Sequence, residues 1–122
     1  MAEDYQEKLL AGWEETYKKG QLTLWIMLAL LEGPKHMAAI KVFINKSTNN
    51  ALVADDKSMY RALRRYYGAG LIDFVNKPGS GGPNLKIYGL TEIGKSLLKT
   101  FLKKNISEVF YKAEIKNLIK NI

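Results

Sequence analysis

The chain of 122 residues is 47% apolar and 25% charged, the composition of one globular domain and too short for two. It has no cysteine and one histidine, His36, which excludes disulfide frameworks, thiolate nucleophiles and histidine-pair metal sites, so no metal or cofactor is expected. The net charge of +7 is segregated. Residues 1–20 hold five acids against three lysines, residues 21–90 nine bases against four acids, and residues 91–122 seven lysines against three acids.

In chain order, Tyr5, Leu9, Trp13 and Tyr17 recur every four residues and predict an amphipathic first helix, ended by Gly20. Leu22–Leu31 predicts a second helix, apolar nearly all round and therefore the buried centre, with Gly33-Pro34 as its stop. That apolar run of about ten residues falls short of the roughly 18 needed to span a membrane. Glu3 and Asp4 stand where a secretion signal carries lysines, so a cytoplasmic protein is expected. Residues 35–44 predict a third helix, and 45–50 a polar connection.

Asp55-Asp56 cap a predicted fourth helix over about 57–67, with Met59, Ala62, Leu63 and Tyr66 inward and Lys57, Ser58, Arg61, Arg64 and Arg65 outward. Capping explains these two acids better than paired catalytic carboxylates, because no histidine, cysteine or phosphate cradle accompanies them. Residues 71–75 and 85–88 alternate as two strands around the turn-rich Pro78–Asn84, a hairpin. Gly79–Gly82 lacks the Lys-Ser/Thr of a phosphate-binding loop and reads as the hairpin tip. From a Thr91 cap, apolar residues spaced by three and four run on to Ile119. A continuous helix there would be on the order of 45 Å long, although the Asn105/Glu108 pair offers a break.

Two helices, a basic helix and a Gly-rich hairpin form the order of a winged helix-turn-helix, whose basic helix enters the DNA major groove while the wing lies on the flanking backbone or minor groove. The expected class is mainly α with a small β hairpin. Residues 1–20 would form an N-terminal arm, 21–90 the DNA-binding unit and 91–122 a C-terminal dimerisation helix. Arg61 and Arg65, one turn apart, are expected at base edges, Lys57 and Arg64 on phosphates, Ser58 at a phosphate, and Lys77 and Lys86 of the wing on the backbone or in the minor groove. Two apolar stripes need cover from a second copy in a homodimer: Tyr5, Leu9, Trp13 and Tyr17, and Phe101, Leu102, Ile106, Val109, Phe110, Leu118 and Ile119. The partners expected are double-stranded DNA and a second copy, with no membrane. The alternative is a winged-helix module whose basic face binds an acidic protein without DNA.

Residues 57–66, Lys-Ser-Met-Tyr-Arg-Ala-Leu-Arg-Arg-Tyr, are followed by Gly70-Leu71-Ile72 and by Tyr88-Gly89-Leu90-Thr91-Glu92-Ile93-Gly94. This series resembles the PadR-type winged-helix transcriptional regulators, whose recognition helix typically reads Gly-Thr-Leu-Tyr-Pro-x-Leu. Upstream, Gly20-Gln21-Leu22 and Leu28–Pro34 extend the resemblance, which covers about residues 20–98. It departs at Met37-Ala38, where the family usually has Gly-Tyr, at Arg61, where it has Pro, and in a longer 45–56 connection. The resemblance implies that Tyr60 and Ser58 meet the DNA backbone and that the two ends build a homodimer. Trp13 and Trp25 would suit a flat aromatic effector between subunits, but tryptophan on an apolar helix face is ordinarily core or interface, so an effector is not called for. His36, near a helix start, is expected as a polar cap or surface residue and not as a pH sensor.

Overall fold

A computed structural model describes residues 2–122; Met1, which belongs to the expected 1–20 arm, lies outside the described residues. The elements are α1 (Ala2–Lys18), α2 (Gln21–Glu32), α3 (Met37–Ser47), α4 (Asp56–Gly68), β1 (Ile72–Lys77), β2 (Leu85–Leu90), α5 (Glu92–Leu102), α6 (Glu108–Phe110) and α7 (Ala113–Lys120). A π-helical turn, Lys103–Ser107, joins α5 to α6.

The core is one cluster contributed by every element from α2 to α5. Ile26, Met27, Ala29 and Leu30 of α2 meet Ile40 and Ile44 of α3, and Met59, Ala62, Leu63 and Tyr66 of α4; Ile72, Tyr88 and Leu98 close it. The spacing of three and four along α4 places all four of its buried residues on one face, as the sequence predicts. The Thr23 and Tyr66 hydroxyls share a hydrogen bond and so pin α2 to α4. All-round burial of α2 is not realised, because α3, β2 and α5 cover only part of it and Leu31 stays 51% exposed.

Several boundaries move for local reasons. Helix α3 runs three residues beyond the expected 44, because Thr48 closes it by donating to the Ile44 carbonyl at 2.8 Å while accepting from the Leu52 N–H at 3.1 Å. The chain then reverses through Asn49 and Asn50 at φ 52° and 63°, left-handed values that asparagine tolerates better than other side-chain-bearing residues. Gly20, at φ 82°, makes the corresponding reversal between α1 and α2.

Strands β1 and β2 pair antiparallel, with Ile72 opposite Leu90 and Lys77 opposite Leu85, so the hairpin is longer than expected at both strands. Lys35 adds a one-residue third strand, exchanging two backbone hydrogen bonds with Tyr88 at 2.9 and 3.0 Å. The Lys35 ammonium turns back to the end of α2, donating to the Ala29 and Gly33 carbonyls at 2.6 and 3.2 Å and pairing with Glu32 at 3.0 Å. A cation there satisfies carbonyls left free by the helix and complements its negative end. This residue thus ties the α2–α3 corner to the hairpin.

The C-terminal segment is not one continuous helix. Asn105, the expected break, lies inside the π-helical turn with its amide donating to the Phe101 carbonyl at 3.1 Å. The break comes at Tyr111-Lys112, where Lys112 adopts extended backbone at ψ 140° and α7 begins anew. Among the described residues no helix is long and apolar enough to cross a membrane.

Candidate nucleic-acid interface

Helix α4 is held at both ends. At its start Asp55 accepts from the Ser58 N–H at 2.7 Å and from the Ser58 hydroxyl at 3.1 Å. These two bonds, the backbone one foremost, hold the Asp55 carboxyl below the usual aspartate range. Beside it Asp56 pairs with Lys41 of α3 at 2.5 Å, which sets the start of α4 against the preceding helix. Capping by Asp55 matches the sequence reading, and the cap engages both Ser58 donors.

With Met59, Ala62, Leu63 and Tyr66 inward, 100° of rotation per residue sets Lys57, Arg61 and Arg64 most nearly opposite the core. Tyr60 and Arg65 stand on either flank. All five are exposed. Lys57, Tyr60, Arg61 and Arg64 line one shallow concavity. Arg65 is not among them, its guanidinium lying 5.6 Å from the Tyr66 ring centre. The structure therefore groups Arg61 with Arg64, whereas the one-turn spacing grouped it with Arg65.

On the wing, Lys77 and Lys86 end up near the tip on opposite strands, both exposed. The Lys86 ammonium lies over the Phe74 ring at 4.7 Å, a contact that orients the cation without neutralising it. Phe74 in turn stacks between Tyr67 and Tyr88, at ring separations of 5.1 and 5.8 Å. This aromatic row welds the wing to the end of α4. Sequence reading missed Phe74 and Tyr88 as supports of the site, although their cross-strand register places them on the same face as α4. His36 sits at the N-cap position of α3 and makes no side-chain capping bond.

The stripes assigned to a second copy are open. Tyr5, Leu9, Trp13 and Tyr17 are exposed along α1, with Trp13 at 74%. Phe101, Val109, Phe110, Leu118 and Ile119 are exposed as well, while Leu102 and Ile106 are half-buried. Trp25 is half-buried and its indole N–H donates to Gln21 at 3.4 Å.

Comparison with solved structures returns the same architecture. A PadR-like transcription factor from Bacteroides fragilis aligns at 26% identity over 88% of this chain and 98% of its own, with a TM-score of 0.66. A PadR-like transcriptional regulator from Bacillus cereus aligns at 25% identity over 85% of this chain and 96% of its own, at 0.68. PadR of Bacillus subtilis, solved in complex with operator DNA, aligns at 23% identity over 66% of this chain and 46% of its own, at 0.61. Comparison with curated proteins returns no match. The model of the transcriptional regulator PadR-like family matches residues 26–100, which run from the core of α2 through the basic helix and wing to α5. With its winged-helix fold, the chain belongs to the PadR-like family of transcriptional regulators.

Proposed function

We propose that the protein is a cytoplasmic, sequence-specific double-stranded DNA-binding regulator that acts as a homodimer and represses transcription. Residues 1–20 form its arm, 21–90 its DNA-binding unit and 91–122 its dimerisation segment. The observation that carries this reading is the outward face of α4, where Lys57, Arg61 and Arg64 stand opposite the core beside a wing bearing Lys77 and Lys86. Cations on a helix that fits the major groove gain by releasing counterions from phosphates, and arginine forks match guanine edges.

In this reading Arg61 and Arg64 take base edges, and Lys57, Tyr60 and Arg65 hold phosphates on the two sides. Ser58 joins them only when Asp55 releases its hydroxyl. The wing lysines contribute affinity without base choice. Homodimerisation is favoured by the exposed stripes and by charge, since the acidic arm of one copy complements the basic 91–122 segment of another. An isologous pair would set two recognition helices about 34 Å apart, one duplex turn, and so select a palindromic site. The reading requires no effector.

Titration with random and genomic duplexes across a salt series tests it. Binding that weakens steeply with salt and tightens on selected palindromes supports it, while no binding even at low salt favours an acidic protein partner for the same face.

A further inference from the structure

Lys35 carries a cation that faces the interior of the fold. Its side chain is only 14% exposed. The ammonium donates to the Ala29 and Gly33 carbonyls, pairs with Glu32 and stands 5.3 Å from the centre of the Phe43 ring. These groups belong to the end of α2 or to α3, and none to α4 or the wing. The backbone of the same residue serves the hairpin. Its N–H donates to the Tyr88 carbonyl, and its own carbonyl accepts from the Tyr88 N–H. Beside it Pro34 lies along β2, where a Cβ built on Gly89 would stand 3.8 Å from the proline ring.

From Tyr88 the contact continues outward. Phe74 stands opposite Tyr88 in the strand register, and its ring carries the Lys86 ammonium. Lys86 and Lys77 lie two and three residues beyond that level, roughly 7–10 Å at about 3.3 Å per residue. The base of the hairpin is fixed separately, where Ile72 enters the core and the Thr91 N–H reaches the Leu71 carbonyl. A two-stranded hairpin held only at its base is free to tilt, because it is marginally stable by itself. The Lys35 bridge adds a second hold partway along the strands, and two holds fix the tilt. This bridge is only as firm as the corner between α2 and α3 that bears it. The polar attachment of that corner to α2 is the Lys35 ammonium, set among carbonyls that the helix end leaves unpaired. Lys35 is not part of the core cluster, which α2 to α5 close without it.

We infer that Lys35 is a positioning residue for the wing. Its ammonium clamps the corner to the end of α2, and through the Tyr88 bridge this clamp fixes how Lys77 and Lys86 stand relative to α4. A lysine turned away from DNA thereby governs the part of the affinity that the wing lysines supply. The effect on affinity rests on the DNA-binding reading above; the effect on the position of the wing does not.

The test uses the full chain and Lys35→Met, which keeps an apolar stem and the backbone bridge and removes the ammonium. Circular dichroism and thermal unfolding establish that the variant folds; a chain that does not fold makes Lys35 a requirement of the fold itself and overturns the inference. Duplex affinity is then measured over a salt series for wild type, for Lys35→Met, for Lys77→Ala with Lys86→Ala, and for all three changes together. Lys35→Met should weaken every duplex alike by roughly three- to tenfold and lower the salt slope by up to about one unit. That loss should disappear once both wing lysines are alanine, the signature of residues that act through one another. A loss of the same size in the alanine background would come from net charge or from general damage, and overturns the positioning role. No loss in Lys35→Met overturns it too and leaves the DNA reading standing. Wild type that binds no duplex refutes the DNA reading, and backbone amide shifts then decide the position of the wing. Shifts in Lys35→Met that spread through residues 74–77 and 85–88 uphold the clamp, and shifts confined to residues 29–36 overturn it.

Discussion

The backbone of Gly94 is pressed against the carbonyl of Leu71: a Cβ built on Gly94 would stand 2.0 Å from the Leu71 oxygen. Three residues earlier Thr91 makes the same junction from its side chain, donating to the Gly70 carbonyl at 2.6 Å and accepting the Gly94 N–H at 3.0 Å. The Thr91 N–H reaches the Leu71 carbonyl at 3.1 Å. Gly70 itself sits at φ 79°, a backbone region that side chains disfavour. The motifs Gly-Leu-Ile and Thr-x-x-Gly, far apart in sequence, are thus two sides of one contact that seats α5 on the exit of α4. Gly94→Ala should therefore lower unfolding free energy by about 2–3 kcal/mol, as overpacking against rigid backbone does, whereas Gly82→Ala, with open space around it, should cost far less. Urea midpoints of the two variants make the comparison.

If the outward face of α4 reads bases as proposed, Arg61→Ala should cost about 1–3 kcal/mol on the preferred site and relax selectivity at one base position. Arg64→Ala should behave likewise. Arg65→Ala should weaken all sequences by a similar small factor. Binding-site selection with each variant checks the order, and a selectivity change in Arg61→Ala and Arg65→Ala but not in Arg64→Ala would restore the one-turn pairing of Arg61 with Arg65.

Changing Lys77 and Lys86 together to alanine should lower the salt slope of binding by up to about two units, with no change in preferred sequence. Phe74→Leu should act in the same direction but more weakly, because it removes the ring that orients Lys86 and keeps the cation. Fluorescence anisotropy over a salt series reads both.

The Asp55 cap makes stability depend on pH with a definite sign. Its carboxyl titrates lower in the folded chain than in the unfolded one, so its contribution is fully present above the ordinary aspartate value and fades as pH falls through the folded value. Replacing Asp55 with asparagine, which caps without titrating, should flatten that acid limb of the stability curve while leaving stability near neutrality almost unchanged. Urea unfolding from pH 7 down to about pH 3 is the measurement. An unchanged acid limb in the variant would place the pH dependence elsewhere.

A full-length chain should sediment as a dimer at micromolar concentration, and a chain ending at Leu98 as a monomer with weakened binding to palindromes. A chain ending at Phe110 separates the contribution of α7 from that of the segment before it. A monomeric full-length protein, or a dimeric chain ending at Leu98, would refute the C-terminal segment as the main dimer contact.

Much of this arrangement was legible because local signals agreed with one another. Met59, Ala62, Leu63 and Tyr66 repeat at helical spacing, Asp55 caps them, and the alternation on both sides of Pro78–Asn84 admits only a hairpin. What escaped depends on through-space neighbours. Ile93 and Leu97 belong to the apolar periodicity of α5, yet Gly94 brings the helix in on so narrow a face that Leu98 is buried and those two are not. Tyr111 and Lys112 carry no breaker signal; helix ends there without glycine or proline. The grouping of Arg61 with Arg64 was within reach of the sequence, because Met59, Ala62, Leu63 and Tyr66 already fix the inward direction and 100° per residue then sets Arg64 nearer the opposite side than Arg65; pairing by one-turn spacing passes over that.

The π-helical turn at Lys103–Ser107 accommodates one residue more than an α-helix would over the same rise. Deleting one residue there would return the backbone to α geometry and leave everything beyond it in nearly the same phase, because the extra residue is absorbed as a local bulge, while α2 to α5 keep their packing. A one-residue deletion in the α-helical stretch before the turn would instead rotate the distal stripe by roughly 100°. The turn is therefore a place where the chain can change length by one residue without reorienting the distal stripe. Subunit exchange between the parent and a chain lacking Asn105 measures this tolerance: mixed dimers forming as readily as like pairs are expected, and a failure to mix would show that the bulge itself chooses the partner.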